Sequence, residues 1–155
     1  MNEASIRMDK KVFSSVRPQR ISHLIETQIR VAAEAVRRAN DDDIKKLEAT
    51  NKRHAGELMS GGAASEHDQS VHSLIAEISG NRVFALRMKV LTDIHAVRMK
   101  NIRLDDKGKR ALIRQHEQII EGIKKKDPEM AHEKMRRHIM DIQKELSRLE
   151  KAGLE

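Results

Sequence analysis

The sequence contains no cysteine, no tryptophan and no tyrosine, and it has only two prolines among its 155 residues. Without cysteine, the chain has neither disulfides nor thiolate metal ligands. It shows no signal peptide and no apolar run near the roughly 18 residues that a membrane-spanning helix needs. We therefore expect a cytoplasmic protein with no membrane partner.

Aromatic side chains are nearly absent as well, since Phe13 and Phe84 are the only two. Eight methionines and many leucines, isoleucines and alanines remain to fill a core, and Glu, Lys and Arg are abundant. These are the residue types that favour helices. A chain of this length supports one domain with its own core. We expect an all-α domain whose core is aliphatic and rich in methionine.

The charge balance is basic, with 31 Lys and Arg against 24 Asp and Glu and a formal net charge of +7. This balance permits contact with nucleic acid or with small anions. It establishes neither, so charge alone assigns no partner.

The apolar spacing and the capping signals predict an antiparallel bundle of about six helices, forming one domain over residues 18–155. Residues 1–17 show no clear period and are predicted to form a loose arm. The predicted helices begin at Pro18, after the Asn40 cap, near Glu66, after Asn81, after a cap at Asp105 or Asp106, and at Pro128. The segment SGGAAS, residues 60–65, ends the second helix. The fourth is predicted to reach Arg103 and the fifth Lys126.

Two of the eight histidines stand out by their distance from the predicted turn at Asp127. His116 lies 11 residues before Asp127, and His138 lies 11 residues after it. At a rise of about 1.5 Å per residue, both lie roughly 16 Å from the turn, so an antiparallel hairpin places them at one depth. Core positions flank each of them, so both side chains point partly inward. Two inward imidazoles need hydrogen-bond partners or a metal ion for their ring nitrogens.

A second polar pair lies on the third predicted helix. Asp68 and His72 are four residues apart and share one helix face. Together with His116 and His138 they give one carboxylate and three imidazoles, a set that suits Zn²⁺, Ni²⁺ or another divalent first-row ion. A small carboxylate would fill any open coordination position. The alternative is a buried polar cluster without metal, held by hydrogen bonds and water, and the spacing alone does not separate the two.

Residues about 35 to 150 resemble the FCD domain, the helical ligand-sensing domain of GntR-type bacterial transcription regulators of the FadR subfamily. The junction VRRANDDDIKKLE, residues 36–48, looks like the first helix-to-helix junction of that family. Two further motifs carry the resemblance: an Asp and a His four apart before a Ser-Gly-Asn stop, and a His-x-x-Ile stretch followed by an acidic turn, an alanine and a second histidine. They comprise Asp68, His72, Ser79-Gly80-Asn81, His116, Ile119, Asp127, Ala131 and His138.

The resemblance implies that Asp68, His72, His116 and His138 bind a divalent metal, most simply zinc or nickel. It also implies a neighbouring pocket for a small organic acid effector and a homodimer. On the fourth predicted helix, Arg87 or Arg98 is placed to meet the carboxylate of such an acid, and a solvated or dimer-facing role is the alternative for each. The arginine that the family usually carries early in its first sensing helix has no match in this sequence.

The resemblance also concerns residues 16–30 and the DNA-binding domain of this family. The stretch VRPQRISHLIETQIR, residues 16–30, looks like the first helix of the family's winged helix-turn-helix domain, but no recognition helix or wing follows it. It is either a remnant of that domain joined to the sensor or simply the sensor's own first helix. In neither case does a recognition helix enter a major groove, so we do not expect this chain to read a DNA sequence.

The leading interpretation is a metal-dependent, carboxylate-sensing, dimerising domain, not an enzyme. One alternative is a metal-dependent hydrolase, because an open metal position can activate water. Glu117 follows His116 but points about 100° away on the helix, so it is poorly placed as a general base. A third interpretation is a structural bundle in which the histidines bind no metal.

Overall fold

The computed structural model describes residues 18–62, 64–86, 88 and 104–151, with side chains at 26–62, 70–86, 88, 104–145, 147 and 148. Five helices have their bounds there: α1 Pro18–Arg38, α2 Asp41–Met59, α3 Ala64–Ile78, α4 Asp106–Lys124 and α5 Pro128–Lys151. Residues 82–86 are also helical, and no strand occurs within the described ranges. The predicted all-α class is confirmed. The predicted arm, residues 1–17, and residues 89–103 of the predicted fourth helix lie outside the described residues.

Side-chain caps begin α2 and α4 where the sequence predicts them. The Asn40 side chain accepts a hydrogen bond from the Asp43 amide at 2.8 Å, and the Asp43 carboxylate accepts one from the Asn40 amide at 3.0 Å. At α4 the cap is Asp105, whose carboxylate accepts from the Gly108 amide at 2.7 Å. Each cap satisfies amides that the first helical turn leaves open and is worth about 1 kcal/mol.

Two predicted helix boundaries, one start and one end, differ from the structure by two residues. Helix α3 begins at Ala64, two residues before the predicted Glu66, and α4 ends at Lys124, two residues before the predicted Lys126. Lys126 has a φ of 57°, and the amides of Lys126 and Asp127 donate to the carbonyls of Ile123 and Gly122. This Schellman turn normally carries glycine at the left-handed position, so a lysine there did not indicate the turn in the sequence analysis.

The Lys126 side chain compensates for its unusual backbone. Its ammonium donates to the Ala39 carbonyl and, at 3.4 Å, to the Val36 carbonyl. Val36 lies in the last turn of α1 and Ala39 directly follows its last residue, where the carbonyls at a helix end lack partners within the helix. One residue therefore ends α4 with its backbone and caps α1 with its side chain.

The core lies where the apolar faces of the helices meet. Helix α5 packs against α1 and α4, and α2 packs against α3 and α4. The most completely buried hydrophobic residues include Ala32, Ala35, Leu47, Val71, Ile75, Met88, Ile119, Ile123, Ala131, Met135 and Ile139. Full burial of one such large side chain stabilises the fold by about 1.5–3 kcal/mol. The helices of the described part include none that is long and apolar enough to cross a bilayer.

Helices α4 and α5 approach each other closely at Gly122. A Cβ atom added there would lie 2.7 Å from the Ala131 backbone nitrogen and 2.9 Å from its Cα. Only a residue without a side chain permits this separation. The contact lies between the turn and the two histidines, and it brings the helices together at that depth.

Candidate metal centre

Three of the four predicted ligands meet in the core, each from a different helix. His72 lies on α3, His116 on α4 and His138 on α5, and none is more than 2% exposed. The Nε2 atom of His138 lies 2.9 Å from Nε2 of His72 and 3.3 Å from Nε2 of His116. His138 is therefore the central member of the three.

The His72 and His138 rings are nearly parallel, with 27° between their planes, and the His116 ring is inclined to them by 76° and 59°. The centroid distances are 5.4 Å for His72 and His116, 5.0 Å for His72 and His138, and 4.6 Å for His116 and His138. Each residue offers one ring nitrogen, and these nitrogens all lie within 4.8 Å of one another. Three ring nitrogens therefore lie close enough together to share one cation.

Apolar neighbours on each helix hold the histidines inside. Val71 and Ile75 flank His72, and Met135 and Ile139 lie beside His138, all of them buried. When residues at positions i−3, i−1, i+1 or i+3 belong to the buried face of a helix, the residue at position i also points into the core. The imidazoles are therefore carried into an apolar interior, where unsatisfied polar nitrogens are costly.

The remaining predicted site residues are not brought together with the histidines by any described contact. The backbone of Asp68 belongs to α3, one turn before His72, but its side chain lies outside the described residues. Arg87 and Arg98 also lie outside them. Their roles stay predictions.

The two nitrogen–nitrogen distances from His138 fit a first-row divalent ion. With metal–nitrogen bonds of about 2.0–2.1 Å, two donors are roughly 3.0 Å apart at a right angle and roughly 3.4 Å apart at a tetrahedral angle. The two Nε2 separations of 2.9 and 3.3 Å match these values. Neutral imidazoles are also the nitrogen ligands that zinc and nickel accept.

Two residues that sequence reasoning missed set the orientation of His138. Its Nδ1 lies 2.9 Å from the Gln115 side-chain oxygen, and the Gln115 amide nitrogen donates to the Asp141 carboxylate at 2.9 Å. Because a carboxylate only accepts, the amide nitrogen of Gln115 faces Asp141 and its oxygen faces His138. His138 then donates from Nδ1, which leaves the lone pair on Nε2. The sequence signal for both was their proximity to predicted ligands. Gln115 directly precedes His116, and Asp141 lies three residues after His138.

A hydrogen-bonded cluster without metal fits this geometry less well. The single lone pair on His138 Nε2 has two imidazole nitrogens near it, at 2.9 and 3.3 Å. Only one of them can donate directly along that lone pair, so the other contact is either a poorly aligned hydrogen bond or an approach of two nitrogen lone pairs. A cation between the rings satisfies all three at once.

A pocket of about 540 Å³ lies between the start of α4 and the later turns of α5. Its lining includes Gln115, Asp141, Glu145 and Arg148 but none of the three histidines. The Arg148 guanidinium donates to the Glu145 carboxylate at 2.6 Å, and this bond lowers the pKa of Glu145. The pocket therefore contacts Gln115 and Asp141, the hydrogen-bonded pair on the Nδ1 side of His138, and none of the histidines themselves.

Comparisons with known proteins agree with this fold. The family model of the FCD domain matches residues 23–141. Among solved structures, Streptococcus agalactiae GntR is similar to this chain, with 23% sequence identity and a TM-score of 0.64. The similarity covers 88% of this chain and 65% of that chain, so this chain spans less than two thirds of the solved relative. At this identity the likeness shows a common fold. No curated protein matches the chain.

Proposed function

The chain belongs to the FCD domain family, and on this premise we propose that it is the ligand-sensing domain of a GntR-type transcription regulator. In this role it binds a small molecule and transmits the binding event through changes in helix packing. Family membership favours this regulatory role over catalysis.

The sensor depends on a divalent metal ion, zinc or nickel, held by His72, His116 and His138 with Asp68 as the fourth ligand. The observation that carries this proposal is the convergence of three buried imidazole nitrogens from three helices. When bound, the ion supplies positive charge that links α3, α4 and α5 and an anchor for an anionic ligand.

The effector is a small organic acid whose carboxylate completes the coordination of the metal. Arg87 or Arg98 is proposed to pair with the same acid, because a guanidinium binds a carboxylate through two parallel hydrogen bonds. The domain is proposed to act as a homodimer. Sequence-specific DNA contact is assigned to a winged domain, and residues 16–30 are either a remnant of the first helix of such a domain or the sensor's own first helix.

The experiment is a melting series with purified protein, run metal-free, with Zn²⁺, with Ni²⁺, and with each metal plus a panel of small mono- and dicarboxylates. A ligand that binds only the folded state raises the melting temperature by mass action. We expect the metal to raise it, and at least one acid to raise it further only when the metal is present. An acid effect of equal size in metal-free protein would contradict metal-anchored sensing.

A further inference from the structure

Gln115 joins two helices through both ends of its amide. It lies on α4, yet the two described partners of its side chain, His138 and Asp141, lie on α5. His138 and Asp141 are three residues apart, so they occupy one face of α5. The Gln115 amide therefore bridges two groups on α5, and each end of the amide has its own partner.

The direction of the amide matters because its two ends have opposite hydrogen-bonding character. The oxygen accepts and the nitrogen donates. If the amide turned over, its oxygen would face the Asp141 carboxylate, and two acceptors would meet. Asp141 thereby excludes the reversed orientation, and the oxygen stays directed at His138 Nδ1.

The protonation of His138 follows from that direction. A neutral imidazole carries its proton on one nitrogen only. Donation from Nδ1 to Gln115 leaves Nε2 as the acceptor, and Nε2 is the atom closest to the other two histidines. The opposite tautomer would place a proton in the space where the three nitrogens converge.

We propose that Gln115 and Asp141 are positioning residues that hold His138 in the Nδ1–H tautomer, with Nε2 ready to bind the metal. This inference rests on the proposed metal site and goes beyond it by assigning two residues outside the ligand set. Outer partners of metal-bound histidines typically change metal affinity by about 10–100-fold when they are removed. His138 is central to the cluster, so its orientation affects both neighbouring contacts.

The position of the pair in the fold explains why two residues are needed. Both line the pocket between α4 and α5, so water reaches them and competes for the Gln115 amide. An amide held by a single bond at such a site turns over readily. The carboxylate of Asp141 adds a second, charge-assisted bond that holds it.

The experiment compares Gln115→Leu with Gln118→Leu, a matched change at another half-buried glutamine of α4. Affinity for Zn²⁺ and Ni²⁺ is measured by competition with a chromogenic chelator, and folding is checked by circular dichroism. We expect affinity about 10–100-fold weaker in Gln115→Leu and unchanged in Gln118→Leu. The paired change Gln115→Glu with Asp141→Asn should restore tight binding, because the new carboxylate accepts from both His138 and the new amide.

A second readout uses no metal. Long-range ¹H–¹⁵N spectra of metal-free protein report which nitrogen of His138 carries the proton. We expect Nδ1–H in the wild type and a mixture of tautomers in Gln115→Leu. Equal affinities and equal tautomers in the two single variants would overturn the inference, as would loss without rescue by the paired change. A wild type that binds neither metal but shows the tautomer difference would instead overturn the proposed metal site and support the orienting role.

Discussion

Helices α4 and α5 share two regions of opposite character, one near their turn and one beyond the histidines. Near the turn, Gly122 lies against Ala131 and the surrounding side chains, such as Ile123, are fully buried and apolar. Beyond the histidines, the same helices present Gln115 and Asp141 to an open pocket. His116 and His138 lie at the boundary. The closed region sets how far apart the imidazoles are, and the open region sets which nitrogen faces inward.

The largest expected effect comes from removing a histidine at this boundary. We expect His138→Ala to lower Zn²⁺ and Ni²⁺ affinity by more than about 100-fold, beyond the usual effect of losing an outer partner. His72→Ala and His116→Ala should act similarly, because each removes one of three converging nitrogens. Chelator competition measures the affinities, and His132→Ala, an exposed histidine on α5, is the control. Unchanged affinity in any of the three would exclude that residue as a ligand.

A change in the closed region tests whether helix separation controls the site. In Gly122→Ala the added methyl group meets the Ala131 backbone, and we expect the free energy of unfolding to fall by about 1–3 kcal/mol. Metal affinity should fall with it, because α4 and α5 must move apart. Urea unfolding measures the first effect and chelator competition the second.

The matched control for that variant is Gly56→Ala on α2, where an added Cβ has no neighbour within 4 Å. There the gain in helix propensity should stabilise the protein by about 0.5–1 kcal/mol. A Gly122→Ala variant as stable as Gly56→Ala would refute the close approach of the two helices.

The turn itself should be sensitive to side chain and backbone in different ways. We expect Lys126→Ala to be about 1 kcal/mol less stable than Lys126→Gly, because both lose the bonds to the α1 carbonyls and only glycine adopts the left-handed backbone freely. Wild type should lie near Lys126→Gly, since its hydrogen bonds offset its backbone cost. Urea unfolding decides the order, and a Lys126→Ala variant as stable as Lys126→Gly would contradict the turn geometry.

The smallest effect is expected in the open region, at the Glu145–Arg148 pair. The hydrogen bond from Arg148 lowers the pKa of Glu145 below its ordinary 4.5. Because the folded pKa is the lower one, the stabilisation is present above about pH 4.5 and is lost as the pH falls through the folded value. The pair is largely exposed, so we expect no more than about 0.5 kcal/mol.

Urea unfolding at pH 7 and pH 3 measures this difference for wild type and for Glu145→Gln. The wild type should lose slightly more stability between the two pH values than the variant. The opposite order would contradict the assigned direction of the pKa shift.

The sequence predicted the fold well where local chemistry decides the backbone. Asn40 and Asp105 are found as caps because an open helix start requires an acceptor. Pro128 begins α5 because a first-turn proline loses no hydrogen bond. The equal spacing of His116 and His138 from Asp127 brought two buried imidazoles to one depth by the geometry of a hairpin alone.

The features that sequence reasoning missed depend on contacts between distant residues. Lys126 occupies a left-handed position that usually requires glycine, and its side chain reaches carbonyls at the C-terminal end of α1, 87 and 90 residues away in the sequence. Gln115 and Asp141 are 26 residues apart, and their hydrogen bond affects the site because Gln115 also contacts His138. No local pattern encodes such pairs, so they emerge only when the helices are packed.

Metal content tests most directly whether His72, His116 and His138 form a metal site. Elemental mass spectrometry of protein purified without added metal should find about one divalent ion per chain, and a chelator should lower the melting temperature. Re-adding Zn²⁺ or Ni²⁺ should restore it. Protein that contains no metal and shows no melting shift with either ion would contradict the account.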